Sequence, residues 1–242
     1  MAREIIVNDK KYQSLKKVRE HGSSILNQNE IGPILNEEDH KFLKAVSADY
    51  VKEKFSGENV SISRYEIRLN QMPGCSTRSF WAILTDGRGT DFSFYKALRN
   101  RSDTPDESFA AACRSAVMLQ LKEAKMRAFN RYSGLDGRVE CEKTGQRLLI
   151  EEMHLDHAGP RYFNEIVISF RASKGWIDQF PKEILSPHGP GQTLTTFADP
   201  ALANDFSLHH QALARLRLVS KKTNLSDAHK ARAPKIKRPV TL

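Results

Sequence analysis

The sequence predicts an α+β protein built from two modules. Three strand-like segments lie between two strong helical segments, and a second group of short strands follows a glycine-rich break at residues 132–137. A chain of 242 residues has room for one large domain or two small ones. We therefore predict a first module over residues 37–131 and a second over 138–232.

The first module follows residues 1–36, which are expected to be short elements joined by loops at GSS and GP. Asn36 is a suitable N-cap, acidic residues follow it and apolar residues recur at helical spacing, so residues 37–55 are a predicted helix. Alternating apolar residues predict three strands, in VSISRYEIRLN, SFWAILTDG and TDFSFYKAL. Residues 106–131 contain strong helix formers and lack Gly and Pro, which predicts a long helix.

The second module begins with two short predicted strands around Thr144-Gly145. Two helices are predicted next, in RYFNEIVISFRAS and FSLHHQALARL. The strand LRLV at 216–219 precedes a helix for which Ser220 is a suitable N-cap. The chain then ends in a flexible basic tail, residues 233–242, whose prolines oppose helix formation.

The charge of the chain indicates a polyanionic partner. The net charge is +9 and the pI is near 9.5, which favours nucleic acid, with ordinary solubility charge as the alternative. Residues 221–242 hold seven Lys and Arg against one Asp, so this end carries +6 of the total. Three dispersed cysteines argue against a disulfide framework. Since no apolar run approaches the ~18 residues of a membrane span, we expect a cytoplasmic protein without membrane association.

The motif HLDHAGP, residues 154–160, is the strongest candidate for a functional site. Adjacent strand residues point to opposite faces, so Asp156 and His157 serve one site only where the strand ends or bends, and Gly159-Pro160 supplies such a break. Asp156 and Asn224 offer oxygen ligands for a hard divalent ion, while His157 can take a proton from water. The alternative is a hydrogen-bonded strand end. His154 shares the strand face of Asp156, either as a structural residue or as an extra ligand.

Together, HLDHAGP and LRLVSKKTN resemble the HNH nuclease family, also called ββα-metal nucleases, over about residues 138–232. The resemblance implies a metal-dependent endonuclease that hydrolyses phosphodiester bonds. It makes His157 the general base and makes Asp156 and Asn224 the ligands of Mg²⁺ or Mn²⁺, with Zn²⁺ or Ni²⁺ as alternatives. Paired cysteines common in that family are absent here.

One position departs from the HNH pattern. The middle Asn, which orients the base, falls where this chain has Ala214 and Arg215. His209 or His210, on the preceding helix, is expected to take its place, and His210 is included among the catalytic residues.

The predicted partner is nucleic acid, with DNA preferred over RNA. A structure-selective ribonuclease with the same site and a catalytically inactive nucleic-acid-binding protein are the alternatives. Cutting both strands with one site requires a homodimer or two encounters. Seven basic residues are expected to contact phosphates, namely Arg215, Arg217, Lys221, Lys222, Lys235, Lys237 and Arg238.

The segment GCSTRSFWAILTDGRGTDFSFYKAL in the first module looks like the plant DCL (defective chloroplasts and leaves) family. Cysteines usual in that pattern appear here as Ser79 and Ala97. The resemblance implies a small α+β domain associated with nucleic acid, which would aid target recognition. The aromatic residues of this segment serve either core packing or base stacking.

Overall fold

The computed structural model describes residues 4–55, 58–70, 77–186, 191 and 194–226. Helices and small antiparallel sheets confirm the predicted α+β class. The chain divides into two compact units, which are residues 1–104 with 187–194 (unit 1) and residues 105–186 with 195–242 (unit 2). No helix among the described residues is long and apolar enough to span a membrane.

Unit 1 carries nine of the elements in the described part of the chain. In order, these are β1 (Ile5–Val7), β2 (Lys10–Tyr12), α1 (Leu15–Gln28), β3 (Gly32–Pro33), α2 (Glu37–Lys54), β4 (Ile62–Leu69), β5 (Arg78–Leu84), β6 (Gly89–Phe92) and α3 (Phe94–Leu98). Strands β3-β4-β5-β6 form one antiparallel sheet in that order. The predicted helix and the first two strands are confirmed, and the side chain of Asn36 caps α2 by accepting a hydrogen bond from the Asp39 amide at 3.0 Å. The third predicted segment, TDFSFYKAL, is a strand only at its start, because Ser93 caps helix α3 over its second half.

Residues 4–36 form longer regular elements than the short elements joined by loops that were predicted. They hold the β1–β2 hairpin and the 14-residue helix α1, whose Val18 and Ile25 belong to the same core as α2 and the sheet. Gly22, expected to be a break, lies inside α1. A Cβ at this position would be 2.5 Å from the ring of Phe94, so close packing explains the glycine.

Unit 2 carries the remaining elements. In order, these are α4 (Pro105–Tyr132), β7 (Val139–Glu140), β8 (Arg147–Leu148), a 3₁₀ turn (Ile150–Glu152), β9 (Met153–His157), α5 (Phe163–Ser173), a second 3₁₀ turn (Lys182–Ile184), α6 (Pro200–Leu213), β10 (Leu216–Ser220) and α7 (Lys221–Ser226). Strands β9 and β10 pair antiparallel. Helix α7 follows β10 directly, and the Ser220 hydroxyl accepts a hydrogen bond from the Thr223 amide at 3.0 Å, as predicted for an N-cap.

The division between the units falls before α4, whereas the predicted boundary was the break at 132–137. Buried residues on α4, including Phe109 and Val117, share a core with Phe170 of α5 and Phe206 of α6. The packing of α4 therefore assigns it to unit 2. Its local sequence predicts a helix but carries no signal of which neighbours it will contact.

Candidate functional site

The register of β9 and β10 separates the residues of the HLDHAGP motif onto two faces. Asp156 lies opposite Arg217 and His154 lies opposite Val219, so these four share one face, called here the Asp156 face. His157 lies on the other, the His157 face. Strand β9 continues through His157 instead of ending after Asp156. The two motif residues therefore point away from each other, and only a molecule lying across the end of the strand can approach both.

On the Asp156 face, the carboxylate is held by cations. Asp156 Oδ2 accepts hydrogen bonds from Arg217 Nε at 3.0 Å and from Arg217 Nη2 at 2.9 Å, and Lys143 Nζ lies 3.8 Å away. The Arg217 side chain is only 3% exposed. This corrects the prediction that Arg217 contacts phosphate, because its guanidinium is buried against Asp156.

Helix α7 brings Asn224 to the Asp156 face. Asn224 Nδ2 lies 3.2 Å from Nδ1 of His154, so the predicted ligand from the helix reaches the strand beside Asp156 and contacts the histidine two residues earlier. Burial lowers the pKa of His154, and Lys221 and Lys125 lower it further against an opposing effect of Asp156. The imidazole is therefore neutral at pH 7 and keeps a lone pair.

The side chains on this face that could hold a divalent ion are those of Asp156, His154 and Asn224. Among the described residues, no group of three or more His, Cys, Asp and Glu side chains is placed to hold a metal ion. The Asp156 face offers two such side chains, and the amide of Asn224 adds a third donor. Carboxylate and amide oxygens suit Mg²⁺ and Mn²⁺, while imidazole suits Mn²⁺ less than Zn²⁺ or Ni²⁺.

On the His157 face, two histidines meet in aromatic surroundings. His157 Nε2 lies 2.7 Å from His210 Nε2, and the His157 ring packs edge-on against Phe163 with centroids 5.2 Å apart. Burial, followed by the charge of Arg114, lowers the pKa of His157 to about 4. Burial also lowers the pKa of His210 to about 4, with smaller effects from the neighbouring histidines. Both rings are neutral at pH 7, as a general base must be.

The structure distinguishes the two histidines on α6. His210 contacts His157, whereas His209 Nε2 lies 2.8 Å from the hydroxyl of Ser169. His210 therefore occupies the position from which the ring of His157 can be oriented.

The contact between the two Nε2 atoms restricts their protonation. One Nε2 atom must donate and the other accept. One ring of the pair therefore carries its proton on Nε2, and the other carries its proton on Nδ1. If His157 donates from Nε2, its Nδ1 is free to accept a proton, and His210 then carries its proton on Nδ1. The side-chain amide of Gln120 lies beside this nitrogen, with its Nε2 atom 3.5 Å from His210 Nδ1. When the amide is flipped, its oxygen accepts a hydrogen bond from the Nδ1–H of His210.

Basic side chains surround the Asp156 face. Of the predicted phosphate contacts, Arg215, Lys221 and Lys222 are exposed, whereas Lys235, Lys237 and Arg238 lie outside the described residues. Lys125 and Lys143 add two cations that sequence reasoning missed. Lys125 lies on α4 and its Nζ donates to the carbonyl of Ile150 at 2.9 Å. No local pattern could connect α4 to this strand.

A hydrogen-bonded cluster ties the β7–β8 hairpin to the start of α7. The Ser220 amide donates to Cys141 Sγ at 3.2 Å, and the Ser220 hydroxyl donates to Thr223 Oγ1 at 2.7 Å. Burial raises the pKa of the Cys141 thiol, but hydrogen bonds from Thr144 and Ser220 outweigh it and the net pKa is lowered. The cluster fixes the helix that carries Asn224 without paired cysteines.

Comparisons with known proteins bear on unit 1. Residues 23–98 match a family model described as a protein of unknown function, DUF3223, and the chain thus carries a DUF3223 domain in its DCL-like region. The match begins within α1, so this domain includes part of the segment 1–36, which the predicted first module over residues 37–131 had excluded. It ends before residues 138–232, where the HNH assignment stays a prediction.

A solved structure is also similar. An uncharacterized protein from Rhodospirillum rubrum, determined by solution NMR, has 22% sequence identity with a TM-score of 0.34, and the similarity covers 40% of this chain and 89% of that chain. No curated protein matches this chain.

Proposed function

We propose that unit 2 is a metal-dependent endonuclease of the HNH type that hydrolyses phosphodiester bonds, with DNA as its preferred substrate. The observation that carries this proposal is the placement of Asn224. Helix α7 delivers its side chain to the strand face that carries Asp156, within 3.2 Å of His154. The pairing of β9 with β10, followed by helix α7, thus brings together His154 and Asn224, which are distant in sequence.

Asp156 and Asn224 would hold a divalent ion. Such an ion would stabilise the charge that develops on the phosphate and on the leaving oxygen. His157, neutral and at the last position of β9, takes a proton from the attacking water at Nδ1, since its Nε2 is engaged by His210. His210 acts as a positioning residue that holds the ring of His157 in one orientation.

The cations near the Asp156 face support a polyanionic substrate. Lys125 and Lys221 both act on the pKa of His154, so they lie close to the proposed ion site, and Lys143 lies 3.8 Å from Asp156. Such a group favours phosphate binding and contributes no sequence recognition of its own. Recognition of the target is assigned to the DUF3223 domain of unit 1.

A nucleic-acid-binding protein without hydrolysis is the second candidate, and one observation favours it. The two hydrogen bonds from the buried guanidinium of Arg217 neutralise Asp156, which weakens this carboxylate as a metal ligand. The basic surface would then serve binding alone.

Cleavage of supercoiled plasmid DNA tests the proposal. The full chain is incubated with Mg²⁺, Mn²⁺, Zn²⁺ or Ni²⁺, or with excess EDTA, and structured RNA replaces DNA in a parallel series. We expect nicking that requires an ion, is lost in His157→Ala and persists in the matched control His209→Ala. DNA binding without cutting in all four ions would favour the second candidate, and cutting of RNA alone would favour a ribonuclease.

A further inference from the structure

We infer that His154 is a third protein ligand of the ion, and that the site therefore selects a borderline ion such as Co²⁺, Ni²⁺ or Zn²⁺ over Mg²⁺. This inference rests on the proposed ion site at Asp156 and Asn224. It adds a residue to that site and names the class of ion that it prefers.

The distance between His154 and Asn224 is the first argument. Two ligands bound to one ion at ~2.1 Å lie roughly 3.0 Å apart in octahedral geometry and roughly 3.4 Å apart in tetrahedral geometry. The observed separation between His154 Nδ1 and the Asn224 amide is 3.2 Å. An ion placed beside the two atoms, at the apex of a triangle with them, would therefore bind both with little change in their separation. Rotation of the amide by half a turn presents its oxygen in place of its nitrogen.

The free oxygen of Asp156 is the second argument. Within the described residues, both cations that approach this carboxylate do so at Oδ2, where Arg217 donates two hydrogen bonds and Lys143 lies nearby. Oδ1 keeps its lone pairs for an ion. Because Asp156 follows His154 by two residues in a strand, both side chains leave the same face.

The chemistry of an imidazole sets the ion preference. A histidine nitrogen suits Zn²⁺, Ni²⁺ and Co²⁺, whereas Mg²⁺ binds oxygen ligands and keeps several waters. The site has one carboxylate, with Lys125 and Lys221 close to His154, so the net local charge is positive. A bound phosphate backbone offsets this charge, and ion and DNA should therefore bind more tightly together than either does alone.

Co²⁺ binding tests this inference without relying on DNA cleavage. A full-length His157→Ala protein keeps DNA intact, and Co²⁺ is titrated into it with a short DNA duplex while visible absorption and heat of binding are followed. Adding His154→Ala should weaken Co²⁺ binding by more than about 100-fold, beyond the loss of roughly 10–100-fold expected for a residue that only hydrogen-bonds a ligand, while leaving weak Mg²⁺ binding little changed. Adding His154→Asp, which supplies an oxygen ligand, should shift the preference towards Mg²⁺ and Mn²⁺.

The matched control is His209→Ala in the same background, because His209 contacts Ser169 and should leave Co²⁺ affinity unchanged. Thermal melting of each variant without metal shows that the fold persists. Equal Co²⁺ affinity with and without the His154 imidazole would overturn the inference and leave the Asp156–Asn224 site standing. Absence of Co²⁺, Mn²⁺ and Mg²⁺ binding in the presence of DNA would overturn the proposed function as well.

Discussion

The two faces of β9 present opposite environments to neighbouring residues of one short strand. The His157 face is aromatic and buries a pair of neutral histidines, each with a pKa of about 4. The Asp156 face carries a carboxylate held by Arg217, an approaching lysine and the amide of Asn224. Under the proposed function, the two-residue period of the strand separates the proton acceptor His157 from the candidate ion ligands. In such a site, the substrate must lie across the end of the strand.

Removing the carboxylate of Asp156 should have the largest effect on the Asp156 face. Asp156→Ala leaves the guanidinium of Arg217, only 3% exposed, without its anion, and should lower the free energy of unfolding by about 3 kcal/mol. Urea unfolding measures the change. Asp136→Ala is the matched control, because Asp136 and Arg147 form an exposed ion pair with side chains 48% and 49% exposed, and loss of a solvent-screened pair should lower stability far less. Equal losses in the two variants would show that the Asp156 face is not a buried ion-pair environment.

The buried histidine pair predicts a stability that depends on pH. The pKa of His210 is lowered by burial from 6.5 to about 4, so between these values the unfolded chain binds more protons than the folded protein. Stability should be fully present above pH 6.5 and fall as the pH drops towards 4, with up to about 3 kcal/mol from this residue.

Urea unfolding of wild type and His210→Gln between pH 4 and pH 8 checks this prediction. The variant should show a shallower loss of stability at low pH. His209→Gln, altered at a less buried histidine, should stay close to wild type. An identical pH dependence in His210→Gln would mean that the pair does not stay neutral on folding.

A smaller effect is expected from the hydrogen bond that reaches His210 from α4. Gln120→Met keeps the length of the side chain but removes the amide that lies 3.5 Å from His210 Nδ1, which should cost roughly 0.5–1 kcal/mol. The same variant should slow cleavage, because the protonation state of His210 is no longer fixed. Unchanged stability with unchanged cleavage would remove Gln120 from the histidine network.

The charges outside both faces should change binding without changing stability. Each phosphate that a lysine neutralises contributes about −0.9 to the log–log salt slope on duplex DNA. Lys221→Ala should therefore flatten the slope by about 1 unit, and deletion of residues 233–242 by up to roughly 3 units. DNA binding over a salt series measures both slopes. Slopes equal to that of the full chain would place the phosphate backbone elsewhere on the protein.

Local signals predicted much of the fold. The capped helix α2, the three strands β4–β6, the long helix α4 and the Ser220-capped α7 depend on periodicity and capping that lie within a few residues. Helix α1 was missed because the reason for Gly22 is the ring of Phe94, far along the chain. Packing across long separations cannot be inferred from a local pattern.

The candidate site likewise divides into features that follow from local sequence and features that depend on long-range packing. Residue type and order identified His157, Asp156 and Asn224 as candidates, and the HNH resemblance added His210. The structure places His157 against His210 although they are 53 residues apart. The pairing of Asp156 with Arg217, 61 residues apart, depends on the register of β9 and β10. A single sequence does not fix that register, so Arg217 was predicted to contact phosphate.

The central claim is that ion binding and proton abstraction are separated between the two faces of β9. One measurement tests it directly, in which Mn²⁺ affinity and single-turnover cleavage of plasmid DNA are determined for wild type, His157→Ala and Asp156→Asn. We expect His157→Ala to keep the wild-type Mn²⁺ affinity while its cleavage rate falls by about 10²–10⁴, and Asp156→Asn to lose both. Cleavage by His157→Ala at the wild-type rate, or loss of Mn²⁺ affinity in that variant, would contradict the division.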